Sequence, residues 1–219
     1  MKKLMIGLAA TVVAAPAMAA APWTYVQLAY LEADSDLYEV DTRTTGYGIE
    51  GSLGFLENWH VQGAYGKLKG EENDGSPRFD RQKVYSIRIG YHGDVTESLQ
   101  IVADLGYSKA KLDGDATNAD SGAETTFYDL RVGPRYFAGE KLELGAYIIA
   151  GRGKGMNDDD AYYDKFKYSD MSFRADIQYH FTPAWSIGAR FNLKDGDAGQ
   201  AFEGDSVGVN IRWSFADRW

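Results

Sequence analysis

Residues 206–219 read SVGVNIRWSFADRW, and this stretch decides how the rest of the chain is interpreted. Every second residue from Val207 to Phe215 is apolar, and the residues between them are small or polar. A period of two is typical of a β-strand with one apolar and one polar face. Because Trp213, Phe215 and Trp219 place aromatic rings at its end, we expect the apolar face to contact lipid. We also expect the other strands to repeat the pattern.

Composition limits the possible classes of protein. The chain has 219 residues, which suits one domain, and it is rich in Gly (25) and Tyr (15) but contains no Cys. Abundant Gly and Tyr favour strands and tight turns, and the absence of Cys excludes disulfides and thiolate sites. The formal net charge of -9 argues against nucleic-acid binding. We expect no cofactor.

Residues 1–19 have the pattern of a signal peptide. Lys2 and Lys3 precede an apolar run over 4–15, and residues 17–19 have the small-x-small form of a cleavage site. We therefore expect export and a barrel domain over 20–219. No later run reaches the roughly 18 apolar residues of a transmembrane helix, whereas a membrane-spanning strand needs only about 10 alternating residues.

Ten segments repeat the alternation of the opening stretch. Short connections (56–58, 93–98, 137–141 and 182–184) alternate with long polar loops, which include an acidic loop at 34–41 and loops at 71–80 and 112–125. Short periplasmic turns, long external loops and an even strand number are typical of outer-membrane barrels. The sequence thus predicts an all-β, transmembrane, up-and-down antiparallel barrel of ten strands in the bacterial outer membrane. Eight strands with a peripheral hairpin remain the alternative.

Charged residues occupy the face opposite to the apolar one. An arginine facing lipid at the midplane would cost about 2–4 kcal/mol, so this face must be the interior. Symmetric hairpins would place Arg88 opposite Asp104, Arg135 opposite Glu143, and Asp176 opposite Arg190. We expect an ion-pair network that partly or fully plugs the lumen, formed by Glu50, Arg88, Asp104, Asp129, Arg131, Arg135, Glu143, Arg174, Asp176, Arg190 and Arg212.

Aromatic residues of the outward face gather near both ends of the strands, which predicts two interfacial girdles. Those near the short turns and the last strand are Trp59, Tyr91, Tyr136, Phe181, Trp185, Phe215 and Trp219. Those toward the long loops are Tyr30, Tyr47, Tyr65, Tyr85, Tyr107, Tyr128 and Phe173.

The signal peptide, the alternating strands and the terminal VGVNIRWSF resemble the small outer-membrane β-barrels of Gram-negative bacteria, of the OmpA/OmpX type. The stretches YVQLAYLEAD and GYGIEGSLGFLENWHVQGAY resemble more specifically the Ax-type outer-membrane proteins of xanthomonads. The resemblance implies that Trp213, Phe215 and Trp219 form a signal read by the barrel-assembly machinery. It also implies lipid and lipopolysaccharide as neighbours. We expect a monomer.

For function, the first hypothesis is a non-enzymatic barrel with a surface or structural role carried by acidic loops. A narrow passive pore is the alternative. An enzyme ranks third, because His60, His92 and His180 fall on the inner face beside short turns rather than on the lipid wall or outer rim. These histidines could hold a metal only if they lay close together. Residues 113–124 have calcium-loop spacing but Asn118 in place of the required glycine, which favours a solvated acidic loop.

Overall fold

The computed structural model describes residues 23–37, 40–72, 77–112, 123–157, 166–194 and 205–215. They form a closed barrel of ten antiparallel strands, each paired with its neighbours in sequence. The strands are β1 (Tyr25–Leu37), β2 (Val40–Phe55), β3 (Trp59–Glu72), β4 (Pro77–Thr96), β5 (Leu99–Leu112), β6 (Ala123–Ala138), β7 (Leu142–Asn157), β8 (Phe166–His180), β9 (Trp185–Lys194) and β10 (Ser206–Ser214). The predicted all-β fold is confirmed.

The first and last strands close the barrel. The β1–β10 register runs from Tyr25 opposite Ser214 to Ala33 opposite Ser206. Beyond it, the Phe215 amide donates to the Thr24 carbonyl at 2.9 Å. All ten strands thus belong to one closed sheet, and the eight-stranded alternative is wrong. None of the described residues forms a helix that is long and apolar enough to cross a membrane.

The connections at one end of the barrel are short, and this end is the periplasmic one in barrels of this type. They comprise residues 56–58, 97–98, 139–141 and 181–184. The connection predicted at 93–98 is shorter than expected, because β4 continues to Thr96 through an irregular pairing near Asp94. In the first turn, Leu56 takes a positive φ of 54°, a conformation that glycine usually adopts.

At the opposite, extracellular end the strands are longer than the sequence predicts. The expected acidic loop at 34–41 is largely strand, since β1 runs to Leu37 and β2 starts at Val40. The loops expected at 71–80 and 112–125 are also partly strand. Above the membrane, water contacts both faces, so pairing continues without the apolar alternation that marks a strand in sequence.

Side chains alternate across the barrel wall. Along β10 each outward residue is exposed and each following inward residue is buried from Gly208 onward. The outward series comprises Val207, Val209, Ile211 and Trp213, whereas Asn210, Arg212 and Ser214 point inward. The apolar residues therefore cover the outer surface and polar residues fill the interior.

Candidate functional site: the barrel interior

The eleven predicted interior charges all lie on the inner face, and the driest of them surround Asp104 on β5. One Asp104 carboxylate oxygen accepts a hydrogen bond from Arg131 Nε at 2.5 Å, and the other is hydrogen-bonded to His60 Nε2 at 2.7 Å. Arg131 also donates through Nη2 to Gln62 Oε1 at 3.3 Å. The side chains of Asp104 and His60 are completely buried. A carboxylate in such a position is stable only because both oxygens have partners.

The predicted pairing of Arg88 with Asp104 is wrong. The register places Arg88 opposite Gly106 and Asp104 opposite Gly90, a shift of two residues. The space beside Gly90 explains this register. Any side chain at position 90 would collide with its neighbours, because a Cβ there would lie 2.5 Å from the His60 ring. Each charged side chain thus faces a glycine and reaches past it to another strand.

Arg88 binds Asp129 on β6 instead. Its Nη1 and Nη2 donate to the two Asp129 oxygens at 2.5 and 3.0 Å, in a bidentate pair. Two parallel hydrogen bonds of this kind fix the relative orientation of the two side chains and also strengthen the ion pair. The pair spans β5, which lies between the two strands, and therefore narrows the lumen.

Arg135 and Glu143 form an ion pair although they are not directly opposite. Arg135 faces Gly145, yet its Nε reaches Glu143 Oε1 at 2.8 Å. The other Glu143 oxygen contacts His180 Nε2 at 3.1 Å and Arg212 Nη1 at 3.6 Å. Arg135 and Glu143 therefore form the predicted ion pair, but the strands are two residues away from the expected register. The contact forms because the Arg135 side chain extends beyond its directly opposite residue.

Asp176 and Arg190 are directly opposite each other, in the register predicted for their hairpin. Arg190 Nε donates to Asp176 Oδ1 at 3.2 Å, and Arg174 binds both Asp176 oxygens. Arg190 also lies 3.6 Å from Glu50, which accepts a hydrogen bond from the Tyr25 hydroxyl at 2.7 Å. This sector is wetter, with side-chain exposures of 17% for Glu50 and 24% for Asp176.

Three of these contacts cross the lumen. Arg131 to Gln62 joins β6 to β3, Arg190 to Glu50 joins β9 to β2, and Arg212 to Glu143 joins β10 to β7. In each case two strands lie between the partners in the barrel order. Contacts of this length bridge the interior rather than follow its wall.

Trp23 is an interior residue that the sequence analysis did not identify. It precedes β1, is 8% exposed, and stacks on His60 and His92 with ring centroids 4.0 and 4.5 Å away. The Arg135 guanidinium lies 4.4 Å from the Trp23 ring centroid. Since β6 is diametrically opposite β1, Trp23 and the Arg135 side chain together span the periplasmic mouth from one side to the other. The sequence signal for an interior Trp23 is its odd residue number, because the odd-numbered Tyr25 and Gln27 on the same segment also point inward.

The histidines separate into two environments. His60 and His92 both stack on Trp23 and lie 5.7 Å apart between ring centroids, whereas His180 contacts Glu143. Among the described ranges, no three His, Asp or Glu side chains are grouped so as to hold a metal ion. Most of the calcium-like stretch 113–124, the predicted signal peptide and Trp219 lie outside the described residues.

Trp213 and Phe215, the described members of the predicted assembly signal, are on the outer wall. Trp213 stacks on Trp185 with centroids 5.9 Å apart and contacts Phe215 at 4.3 Å. Arg212 and Trp213 therefore lie on opposite faces of β10.

The chain belongs to the family of outer membrane protein beta-barrel domains, whose model matches residues 5–149, more than half of its length. This confirms the resemblance to small outer-membrane barrels; the narrower resemblance to xanthomonad proteins stays a prediction. No curated protein sequence matches the chain.

Solved structures share the fold at low sequence identity. The COG4313 outer membrane channel of Pseudomonas putida F1 has a TM-score of 0.57 and 12% identity, covering 94% of this chain and 100% of its own. The β domain of the Bordetella autotransporter BrkA has a TM-score of 0.54 and 10% identity, covering 88% and 99%. The attachment protein Ail of Yersinia pestis has a TM-score of 0.45 and 10% identity, covering 87% and 95%.

Proposed function

We propose that this protein is a closed, non-enzymatic outer-membrane barrel that acts at the cell surface through its extracellular strands and loops. The observation that supports it best is the set of contacts across the lumen, from Trp23 at the periplasmic mouth to Arg190 and Glu50. A water-filled channel needs a continuous polar path, and large side chains bonded across a ten-stranded barrel interrupt that path.

The distribution of catalytic residue types supports a non-enzymatic role. All three histidines point inward and are engaged by Trp23, Asp104 or Glu143. A hydrolase would need such a group beside a nucleophile on a surface that substrate reaches. Lipid hydrolysis by the purified protein would contradict this part of the proposal.

The length of the extracellular wall supports a surface role. Strands β2, β6 and β7 have 16 residues and β4 has 20, whereas about 9–11 residues cross a bilayer. The excess raises the paired wall above the membrane. Cells that carry the protein should adhere to surfaces differently from cells that carry a version with shortened β3–β4 and β5–β6 hairpins.

A narrow passive pore is the second candidate, and one observation favours it. Asp176, Arg190 and Glu50 keep side-chain exposures of 17–24% within the lumen, so water reaches this sector. We call Trp23 and the side chains that stack on it, His60, His92 and Arg135, the Trp23 layer. If this layer opened, small ions could pass between the positive and negative side chains along β8, β9, β1 and β2.

Planar-bilayer recording of the refolded full chain separates the two candidates. The closed barrel gives no stable current steps at low protein concentration, and a pore gives steps of reproducible size. Uniform steps that scale with salt concentration would overturn the closed-barrel proposal, whereas a silent bilayer containing folded, heat-modifiable protein supports it.

A further inference from the structure

The inner face of the barrel changes character between its two ends. In the periplasmic half, inward side chains such as Gln62, Asp104 and Arg131 are polar and buried. In the extracellular half, the inward side chains on β1 and β3 to β7 are mostly small or apolar. We call six of them the extracellular cup: Leu31, Leu68, Val84, Ala110, Phe127 and Ile149. All six are only half-buried although they point inward, so open space lies beside them within the lumen.

The larger side chains of the cup lie along its wall. A Cβ at position 46 would lie 2.6 Å from Leu68 Cδ2, and a Cβ at position 151 would lie 2.6 Å from Phe127 Cζ. Leu31 Cδ1 approaches position 208 in the same way, at 3.6 Å. Each of these three side chains therefore lies over a glycine of the neighbouring strand instead of extending toward the barrel axis. The centre of the lumen stays open at this level.

The floor of the cup consists of ion pairs. Asp129 is the next inward residue below Phe127, and Glu50 lies on the periplasmic side of the glycines that face the cup on β2. The pairs are Arg88 with Asp129, Arg174 with Asp176, and Arg190 with Glu50. Because each carboxylate has an arginine partner, the floor offers no unbalanced charge to a ligand. None of the inward side chains that the structure describes on β1 to β7 above these pairs is charged.

The remaining side of this space is polar. On β8 to β10 the inward residues at the level of the cup include Asp170, Ser172, Asn192 and Ser206. Asn192 Nδ2 donates a hydrogen bond to Ser206 Oγ at 2.8 Å. An amide and a hydroxyl each carry further donors and acceptors. This edge therefore suits a ligand that has one hydrogen-bonding group beside an apolar body.

We propose that the extracellular cup binds a small, uncharged and mainly apolar molecule that carries one hydrogen-bonding group. Binding removes the half-buried apolar surface of the cup from water. A charged molecule would lose its hydration without gaining an unpaired partner in the floor. Barrels of eight strands already hold one small ligand, and ten strands leave more room. The inference rests on the closed-barrel proposal, because the ion-pair floor makes this space a binding site instead of a passage.

Cysteine reactivity tests the cup, since the chain has no cysteine of its own. Ala110→Cys places a thiol on the inner wall of the cup, and Lys111→Cys places one on the outer face of the same strand. The full chain in lipid nanodiscs is treated with a water-soluble maleimide at rising concentrations of indole, which is uncharged and has one N–H donor. Indole-3-acetate and tryptamine are the negatively and positively charged probes with the same ring.

We expect indole to slow the labelling of Ala110→Cys about fivefold at about 4 mM, which corresponds to a dissociation constant of about 1 mM for a ligand of about nine non-hydrogen atoms. At the same concentration each charged probe should slow it less than about twofold. The labelling rate of Lys111→Cys should not change, which controls for indole dissolved in the lipid. Equal protection by the three probes, or equal protection of the two thiols, would overturn the inference.

A charge introduced into the cup provides a second test. Combined with Ala110→Cys, Leu68→Glu should abolish the protection by indole, whereas Lys67→Glu, on the outer face of the same strand, should retain it. Protection that survives Leu68→Glu would contradict the proposed site. If Leu68→Glu does not fold, the comparison of the three probes still decides. Absent protection in a barrel that gives no current steps overturns the inference alone, whereas current steps in planar bilayers overturn the closed barrel and the cup with it.

Discussion

The most constrained residue of the interior is Asp104, because it is buried and its charge is held by two partners. Arg131 and His60 occupy its two oxygens, and Gly90 opposite it leaves the necessary space. Sequence alternation identifies Asp104, Arg131 and His60 as inward, since that requires only parity. It cannot identify the partners, because a shift of two residues preserves the face and changes every contact.

Asp104→Asn should therefore destabilise the barrel strongly. The amide keeps the shape of the carboxylate but leaves the buried Arg131 charge uncompensated, which costs about 3–5 kcal/mol in the free energy of unfolding. Urea unfolding of the protein in lipid vesicles, followed by tryptophan fluorescence, measures the change.

The matched control is Glu71→Gln, which removes one carboxylate from the exposed pair with Lys69. A surface ion pair contributes about 0–1 kcal/mol, so this variant should unfold close to the unaltered protein. Equal stability of the two variants would show that the Asp104 pair has no special role in the interior.

Among the elements, the short turns carry the clearest local strain. Leu56 has a φ of 54° and a side chain that is 80% exposed, so no packing contact compensates for its left-handed backbone. Gly139 in another short turn has a φ of 70°, which suits glycine. Loop length predicted both turns, but not which residue would take the positive φ.

Leu56→Gly should stabilise the first hairpin, and Gly139→Ala should destabilise the third. The left-handed conformation costs an L-residue about 1–2 kcal/mol, and the gain at position 56 is reduced because glycine has more freedom in the unfolded chain. We expect changes of opposite sign, each about 0.5–1.5 kcal/mol, in the same urea measurement. Changes of the same sign would contradict the backbone explanation.

The last strand combines an interior residue, Arg212, with an exterior one, Trp213, which contacts Trp185 on β9 and Phe215 just beyond β10. The alternation with a period of two assigned these residues to the correct faces. The Phe215 amide extends the pairing of β10 with the segment that precedes β1. The same alternation missed the extracellular ends of several strands, such as β1, β2, β4 and β7, where water replaces lipid.

Phe215→Ala should lower the amount of protein in the outer membrane by about two- to tenfold, as expected if these aromatics guide assembly at the membrane interface. Export to the periplasm should be unchanged, because the strand acts after translocation. Cell fractionation with immunoblotting measures both pools. Phe181→Ala, an exposed aromatic in the turn before β9, is the control, and an equal loss there would remove the special role of the last strand.

For the whole molecule, the important property is that charged and aromatic side chains contact one another across the interior of a ten-stranded barrel. Family membership and the ten strands define the wall, whereas the interior contacts define what passes through it. The sequence predicts the plug from charges on one face. It does not predict the Trp23 layer, because that residue precedes the first strand and packs with residues of β3, β4, β5 and β6.

The Trp23 layer can be tested chemically because the chain contains no cysteine. Val102 on β5 points inward, is fully buried and packs beside Trp23, so a thiol in Val102→Cys reports access to the interior. We expect a water-soluble thiol reagent to modify it slowly in the folded protein. Adding Trp23→Ala should raise the rate about tenfold or more, because only a thiol that solvent reaches forms reactive thiolate. Ile101→Cys, the neighbouring outward residue, is the control, and its rate should not respond to Trp23→Ala. Fast modification of Val102→Cys with Trp23 intact would mean that the periplasmic mouth is open, and the pore would then become the better explanation of the interior.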